Sequence, residues 1–349
     1  MKISIGERNI GQHERPYLIA EMSGNHNQSL SKALEIVEQV AASGADAVKL
    51  QTYTPETMTL DIRAPGFVID DEKSLWAGRQ LFDLYREAYT PWEWHEPIIK
   101  RASDLGMQCF STPFDDSAVD FLEKLGVPAY KIASFEAIDI PLIRRVARTG
   151  KPVIISIGMA NAAEIDEAVR AVRGEGNNQI VLLKCTSTYP ATPLNTNLRT
   201  IPSLRDTFNC EVGLSDHTMG CGVAVAAVAF GAVVIEKHFT LSRADGGVDS
   251  AFSLEPAEFN TLRTETDRAW LGLGSVVYGG TLDEQNSKVF RRSLYIAADV
   301  RRGEAFTPRN VRAVRPGLGL PPKYLDIVVG MRASRDLPSG TPLTWDLIK

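Results

Sequence analysis

The sequence predicts an α/β protein, a closed (β/α)8 barrel of the TIM type followed by a small β-rich domain. Short apolar runs rich in Val and Ile recur between helix-like stretches along about the first 240 residues, the pattern of buried parallel strands. Almost every run ends in a polar or ionisable residue, and a barrel carries its reactive groups where its strands end. After Gly272–Gly280 the alternation stops, and short β-like runs with many turns replace it.

In chain order the runs are Tyr17–Glu21, Ala47–Gln51, Met107–Thr112, Ala129–Ser134, Val153–Ser156, Ile180–Ser187, Cys210–His217 and Val233–His238. Helix signals lie between them. Ser29 caps a stretch that stops at Gly44, with Leu34, Val37 and Val40–Ala41 on one face. Thr90-Pro91 opens a helix ending near Gly106, with Pro at the first helical position. Asp115–Leu125, Asp139–Thr149, Asn161–Arg173, Gly222–Phe230 and Pro256–Leu271 repeat the pattern. Between the second run and its helix, Tyr53–Tyr89 leaves roughly forty residues over the barrel mouth, the length of a lid or substrate-binding loop. These signals divide the chain into a barrel over residues 1–275, a linker over 276–289 and a tail domain over 290–349. In the tail, Ser293–Ala297 and Val311–Val314 read as strands. Asp299, Gly303 and Thr307 recur as Asp336, Gly340 and Thr344, which points to pseudo-symmetry. At about 60 residues the tail's own core is marginal, so packing against a partner is expected.

Composition excludes several classes. A net charge of −5 opposes a nucleic-acid surface, and no apolar stretch reaches the roughly 20 residues of a membrane span. The N-terminus lacks the layout of a secretory signal, and Cys109, Cys185, Cys210 and Cys221 read as core fillers of a reduced, cytoplasmic protein.

Residues two apart share one face of a strand. His217 and His238 end consecutive runs and so become barrel neighbours, a plausible site for an exchangeable divalent cation, with Asp216 and Glu236 beside them. Lys237 has the opposite parity to Glu236 and His238 and should face the helix layer. Lys131 with Thr112, Ser134, Ser156, Ser187 and Ser215 forms an anion cradle, and Lys49 shares a strand face with Gln51. Glu21 and Glu136 are placed for proton transfer; Asn25, His26 and Tyr189 lie where they could touch substrate. Phosphoenolpyruvate condensation and metal-dependent aldol chemistry both fit these groups, and spacing alone does not choose between them.

The segments IAEMSGNHN (19–27), GADAVKLQT (44–52), FSTPF (110–114), YKIAS (130–134), GLSDHT (213–218) and IEKHF (235–239) resemble those of the sialic acid synthase family. The tail, with SLYIAADVRRGE (293–304) and VRPGLGLPP (314–322), resembles its C-terminal antifreeze-like (SAF) domain. Within the family, LYREAYTPWEWH (84–95), YKIASFEA (130–137) and LKCTSTYP (183–190) are most similar to the pseudaminic acid synthase branch. N-acetylneuraminate synthases generally have Gly at the position of Phe135, Asn at that of Ser187 and Arg at that of Lys237.

The resemblance implies a transferase that condenses phosphoenolpyruvate with 2,4-diacetamido-2,4,6-trideoxy-L-altrose and water, with C–O cleavage; N-acetylneuraminic or legionaminic acid synthesis is the alternative. It implies Mn2+, Mg2+ or Co2+ on His217 and His238, and phosphate on Lys131, Thr112, Ser134, Ser156 and Ser215, with the family's Asn contact replaced by Ser187. Glu21, Glu136, His217 and His238 become the catalytic set, while Lys49, Gln51, Tyr189, Asp216 and Glu236 join the substrate contacts. Arg315 matches an arginine delivered from a second copy, which implies a domain-swapped homodimer. A non-catalytic sugar-phosphate binder and a class II aldolase are the competing readings. Ice binding is disfavoured, because the tail has no flat threonine array.

Overall fold

A computed structural model describes residues 3–72 and 74–349, in two compact units, Met1–Gly274 and Ser275–Lys349. The first unit begins with a hairpin, β1 (Ile3–Ile5) and β2 (Arg8–Ile10), which sequence reasoning did not anticipate. Eight parallel strands then close into a barrel: β3 (Tyr17–Glu21), β4 (Ala47–Thr52), β5 (Gln108–Pro113), β6 (Tyr130–Ile132), β7 (Val153–Ser156), β8 (Ile180–Cys185), β9 (Glu211–Asp216) and β10 (Val234–His238). Neighbours follow chain order and β10 pairs with β3, so no edge is left exposed.

Most helices form where capping and periodicity place them, but the one expected to open at Thr90-Pro91 begins only at His95, after a 3-10 turn over Trp92–Trp94. The helices are α1 (Leu30–Ala42), α2 (Pro55–Met58), α3 (Leu81–Ala88), α4 (His95–Asp104), α5 (Asp116–Leu125), α6 (Ile140–Ala147), α7 (Ala162–Gly174), α8 (Thr200–Phe208), α9 (Gly222–Ala229) and α10 (Pro256–Leu273). Ser29, Asp115, Asp139 and Asn161 each accept a backbone N–H of the first turn, the interaction that satisfies an otherwise orphan donor. Helix α8, not foreseen, carries Pro202 in its first turn, where a missing N–H costs no intrahelical bond. One continuous apolar core runs between the barrel and its helices, with Leu18, Val48, Ile132, Ile155 and Ile235 fully buried. Among the described residues no helix is long and apolar enough to cross a membrane.

The strand register sets the polar interior. Glu21 is level with Lys49 and with His238, Gln51 with Thr112, and Ser215 with both Cys185 and Glu236. Gly213, on the face of Ser215, is required there. A Cβ would come within 2.7 Å of Leu183 Cδ2 and closer still to the Val234 carbonyl oxygen. The segment Tyr53–Tyr89 folds as α2, a short pairing of Val68 with Gln80, and α3.

The second unit has its own core of Leu294, Ile296, Val300, Phe306, Val311 and Leu337, among others, around the pair β11 (Ser293–Ile296) and β12 (Val311–Val314). The repeated motif is visible as reciprocal pairing. Asp299 accepts from the backbone N–H of Ser339, and Asp336 accepts from that of Arg302. Val300 and Leu337 exchange both backbone hydrogen bonds. Each copy of the motif thus closes the turn of the other.

Candidate active site

Four ionisable side chains meet inside the barrel. Glu21 sits 2.5 Å from the Lys49 ammonium, Lys49 lies 3.8 Å from Glu236, and Lys131 lies 3.6 Å from the same Glu236 oxygen. All four are buried, yet the two lysines respond differently. Burial pulls both down, but contact with Glu21 at 2.5 Å holds Lys49 above its ordinary value, while Lys131, whose partner Glu236 stands off at 3.6 Å, ends below it. Burial raises Glu21; Glu236, also penalised by burial, is held low by Lys131 and Lys49. Gln51 donates to Glu21 at 3.0 Å, Lys49 donates to Thr112 at 3.1 Å, and Ser215 donates to Glu236 at 3.2 Å.

Next to Lys131 the chain leaves a small concavity. The Gly158 N–H donates to Ser134 Oγ at 3.2 Å, and a Cβ on Gly158 would lie 2.8 Å from that oxygen and closer still to Ser187 Oγ. Ser156 Oγ, two residues earlier, is buried without a hydrogen-bond partner. Hydroxyls, a backbone N–H and a lysine with no carboxylate at hydrogen-bond distance make a site suited to a phosphate group.

The two histidines flank the other side. Their ring centroids are 5.3 Å apart. His217 Nδ1 faces the Thr186 carbonyl at 3.2 Å and must donate to it, so the neutral ring keeps its lone pair on Nε2. Burial pushes His238 well below the ordinary range, leaving it neutral, and its Nδ1 is buried without a hydrogen-bond partner, 3.9 Å from Asp249. Burial pulls His217 down too, but Cys185 and the Thr186 carbonyl hold it above its ordinary value; with that ring deprotonated, two imidazoles, one with an orphaned buried nitrogen, fit a divalent cation. Among the described residues no set of three or more His, Cys, Asp or Glu side chains converges on such a point, so the site would keep open positions.

Above these groups lies a chamber of about 410 Å³, lined by Gln51, Glu136, Tyr189, His238 and Asp249 and by side chains of Tyr53–Tyr89. Trp76 donates to the Val248 carbonyl at 3.1 Å, which ties this segment across the mouth. Glu136 has one buried oxygen without a partner, and burial pushes its carboxyl up to about 7. Tyr189 packs on His217 with ring centroids 4.5 Å apart.

Some expectations need correction. Asp216 shares its strand with Ser215 but has the opposite parity: it pairs with Lys237 at 2.8 Å and accepts from the Thr218 N–H, away from the chamber. Asn25 spends its amide on the Phe239 carbonyl and Ser253, and His26 bonds Thr90, so both brace the first loop. Cys185 is not an inert filler. Burial alone would raise its thiol, but His217, 3.8 Å away, and the hydroxyls of Ser134 and Ser187 bring it down to about 6. Arg315 is exposed in the second unit, apart from every group above by sequence position alone. Sequence reasoning missed Asp249, which lines the chamber, bonds Ser23 and approaches His238. It follows β10 on a glycine-rich loop with no strand to announce its direction.

Residues 36–278 match the NeuB family and residues 291–349 match a SAF domain. The chain is 43% identical to the pseudaminic acid synthase of Campylobacter jejuni subsp. jejuni serotype O:2, over 96% of this chain and 97% of that protein. It is 41% identical to the pseudaminic acid synthase of Helicobacter pylori, over 96% and 98%. Among solved structures, the N-acetylneuraminic acid (sialic acid) synthetase of Leptospira borgpetersenii serovar Hardjo-bovis, in complex with citrate, superposes with a TM-score of 0.73 at 31% identity. That match covers 82% of this chain and 95% of the other.

Proposed function

We propose that this chain, which belongs to the NeuB family and carries a SAF domain, is a pseudaminic acid synthase. It would condense phosphoenolpyruvate with 2,4-diacetamido-2,4,6-trideoxy-L-altrose and water, giving pseudaminic acid and phosphate. The observation that carries this reading is the meeting, around Glu236, of a phosphate cradle and a pair of adjacent imidazoles beneath one chamber. A donor phosphate and an acceptor carbonyl can be held there side by side, which lowers the entropic cost of joining them.

In this reading Lys131, Ser134, Ser156, Ser187 and the Gly158 N–H bind the donor phosphate. An arriving phosphate favours the charged form of Lys131, which burial penalises and Glu236 at 3.6 Å only partly compensates. Lys49, fixed between Glu21 and Thr112, faces the donor carboxylate, and Gln51, Ser215 and Glu236 complete that floor. His217 and His238 would hold a divalent cation, Mn2+ being our choice, whose chemistry is to polarise the acceptor carbonyl. Glu136, with its carboxyl near 7, is suited to take a proton from the attacking water and return one to a substrate hydroxyl. Glu21 and Asp249 accept acceptor hydroxyls, and Tyr189 packs against the sugar beside His217. Electron flow runs from C3 of phosphoenolpyruvate to the aldehyde carbon; water then adds at C2, and that carbon's bond to the phosphate oxygen breaks.

Two further parts complete the proposal. Arg315 is supplied to the barrel of a second copy, making the working unit a domain-swapped homodimer; its exposure and its lack of any hydrogen bond or ion pair among the described residues favour this. The protein works in the cytoplasm, in keeping with its four free cysteines. An acceptor panel read by phosphate release tests the function. Turnover only with both phosphoenolpyruvate and the 6-deoxy diacetamido sugar is expected. Equal or better turnover with N-acetylmannosamine would overturn the acceptor assignment.

A further inference from the structure

One stretch of chain, Tyr53–Tyr89, supplies eight of the residues that line the chamber. They include Met58, Ile69, Leu81 and Leu84, together with the phenols of Tyr53 and Tyr85. The two tyrosine rings meet edge to face at 5.8 Å. Tyr53 is 2% exposed, yet neither hydroxyl makes a hydrogen bond with the protein among the described residues. A phenol placed against a cavity, with no protein partner, gains most from an acceptor on a bound ligand. The same stretch's indole N–H is unavailable for this, because Trp76 gives it to the Val248 carbonyl. The rest of the lining mixes Gln51, His238, Asp249 and Glu136 with Phe114 and Phe135, so this stretch contributes the aliphatic side chains and two donors free for a ligand.

Resting on the function proposed above, we infer that the segment Tyr53–Tyr89 selects the acceptor. Tyr53 and Tyr85 donate to its acetamido carbonyls, and Met58, Ile69, Leu81 and Leu84 cover its acetyl and terminal methyl groups. The placement of these groups sets the orientation: the reacting aldehyde end lies near His238, and the deoxygenated end lies against Met58, Ile69, Leu81 and Leu84. A terminal hydroxyl in that position would be removed from water with no partner, an unfavourable change that a methyl group avoids.

Full-length protein with Tyr85→Phe, Tyr53→Phe or Met58→Gln tests this. Each phenylalanine variant should raise the KM for the diacetamido sugar roughly three- to tenfold, with the KM for phosphoenolpyruvate unchanged. That penalty should vanish with analogues lacking the matching acetyl group, a coupling that a merely structural ring would not show. Met58→Gln should narrow the kcat/KM preference for the 6-deoxy sugar over its 6-hydroxy congener by roughly tenfold. If the wild type uses the diacetamido sugar and all three variants match it, the selecting role is refuted and the function stands. If the wild type itself rejects that sugar and uses N-acetylmannosamine, the function proposed above fails, and the acceptor named here fails with it.

Discussion

Gly158→Ala probes the phosphate cradle with the smallest possible change. The added Cβ would lie 2.8 Å from Ser134 Oγ and closer still to Ser187 Oγ, both inside any real contact distance. Both oxygens end short rotatable side chains, so most of the strain is relieved by turning the hydroxyls out of the cradle, and the Ser134 Cβ, 3.1 Å from the new atom, needs to give by only a few tenths of an ångström. The backbone of Gly158 is not in the left-handed region, so alanine adds no conformational penalty of its own. Stability should therefore change by less than about 1 kcal/mol. Binding should change far more. Each hydroxyl lost to a charged phosphate removes about 1.5–3 kcal/mol, or about 3–6 kcal/mol for the two. At tenfold per 1.4 kcal/mol this is at least a hundredfold rise in the KM for phosphoenolpyruvate. Steady-state phosphate release gives the KM, urea unfolding gives the stability, and calorimetric titration with inorganic phosphate reads the cradle without turnover. In a background of Ser134→Ala and Ser187→Ala the glycine substitution should add little, because its targets are gone. An unchanged KM in a normally folded variant would refute the cradle.

The other predictions concern the remaining groups. His217→Ala or His238→Ala should abolish divalent-cation binding measured by calorimetry, and with it turnover, while the fold persists; retained cation binding in both would sink the assignment. The rate should rise through about pH 7 as Glu136 loses its proton, and Glu136→Gln should remove that limb along with most of kcat; a limb that survives would point to another base. Lys49→Met strands Glu21 without its cation and should cost about 3–5 kcal/mol in urea unfolding at pH 7. Burial holds the carboxyl of Glu21 above its unfolded value, so the folded state binds the extra proton and that cost should shrink as the pH is lowered toward 5; a pH-independent cost would refute the pairing. Arg315→Ala should raise the KM of the acceptor more than that of phosphoenolpyruvate, and an effect confined to the donor would undo the cross-subunit role.

Which of these groups could be read from the chain depends on how rigidly its backbone dictates direction. On a strand, parity alone decides. Ser215 and His217, or Glu236 and His238, must face the same way, and the register of β9 with β10 makes the two pairs neighbours. The same rule placed Lys237 outside before any coordinates, and applied one position earlier it would have taken Asp216 out of the substrate set, since the two are register partners and bond each other. Loops carry no such rule. Asn25 and His26 looked available because they follow β3, yet their partners, Phe239, Ser253 and Thr90, come from distant parts of the chain. Asp249 was overlooked for the same reason in reverse: only the loop after β10 turns it toward His238. Cys185 shows the remaining limit. Its parity with Leu183 and Ser187 marked it as interior, but its altered acidity comes from the imidazole of the next strand. Strand periodicity therefore locates a reactive group, while its charge state is set by neighbours that closure of the barrel brings within 4 Å.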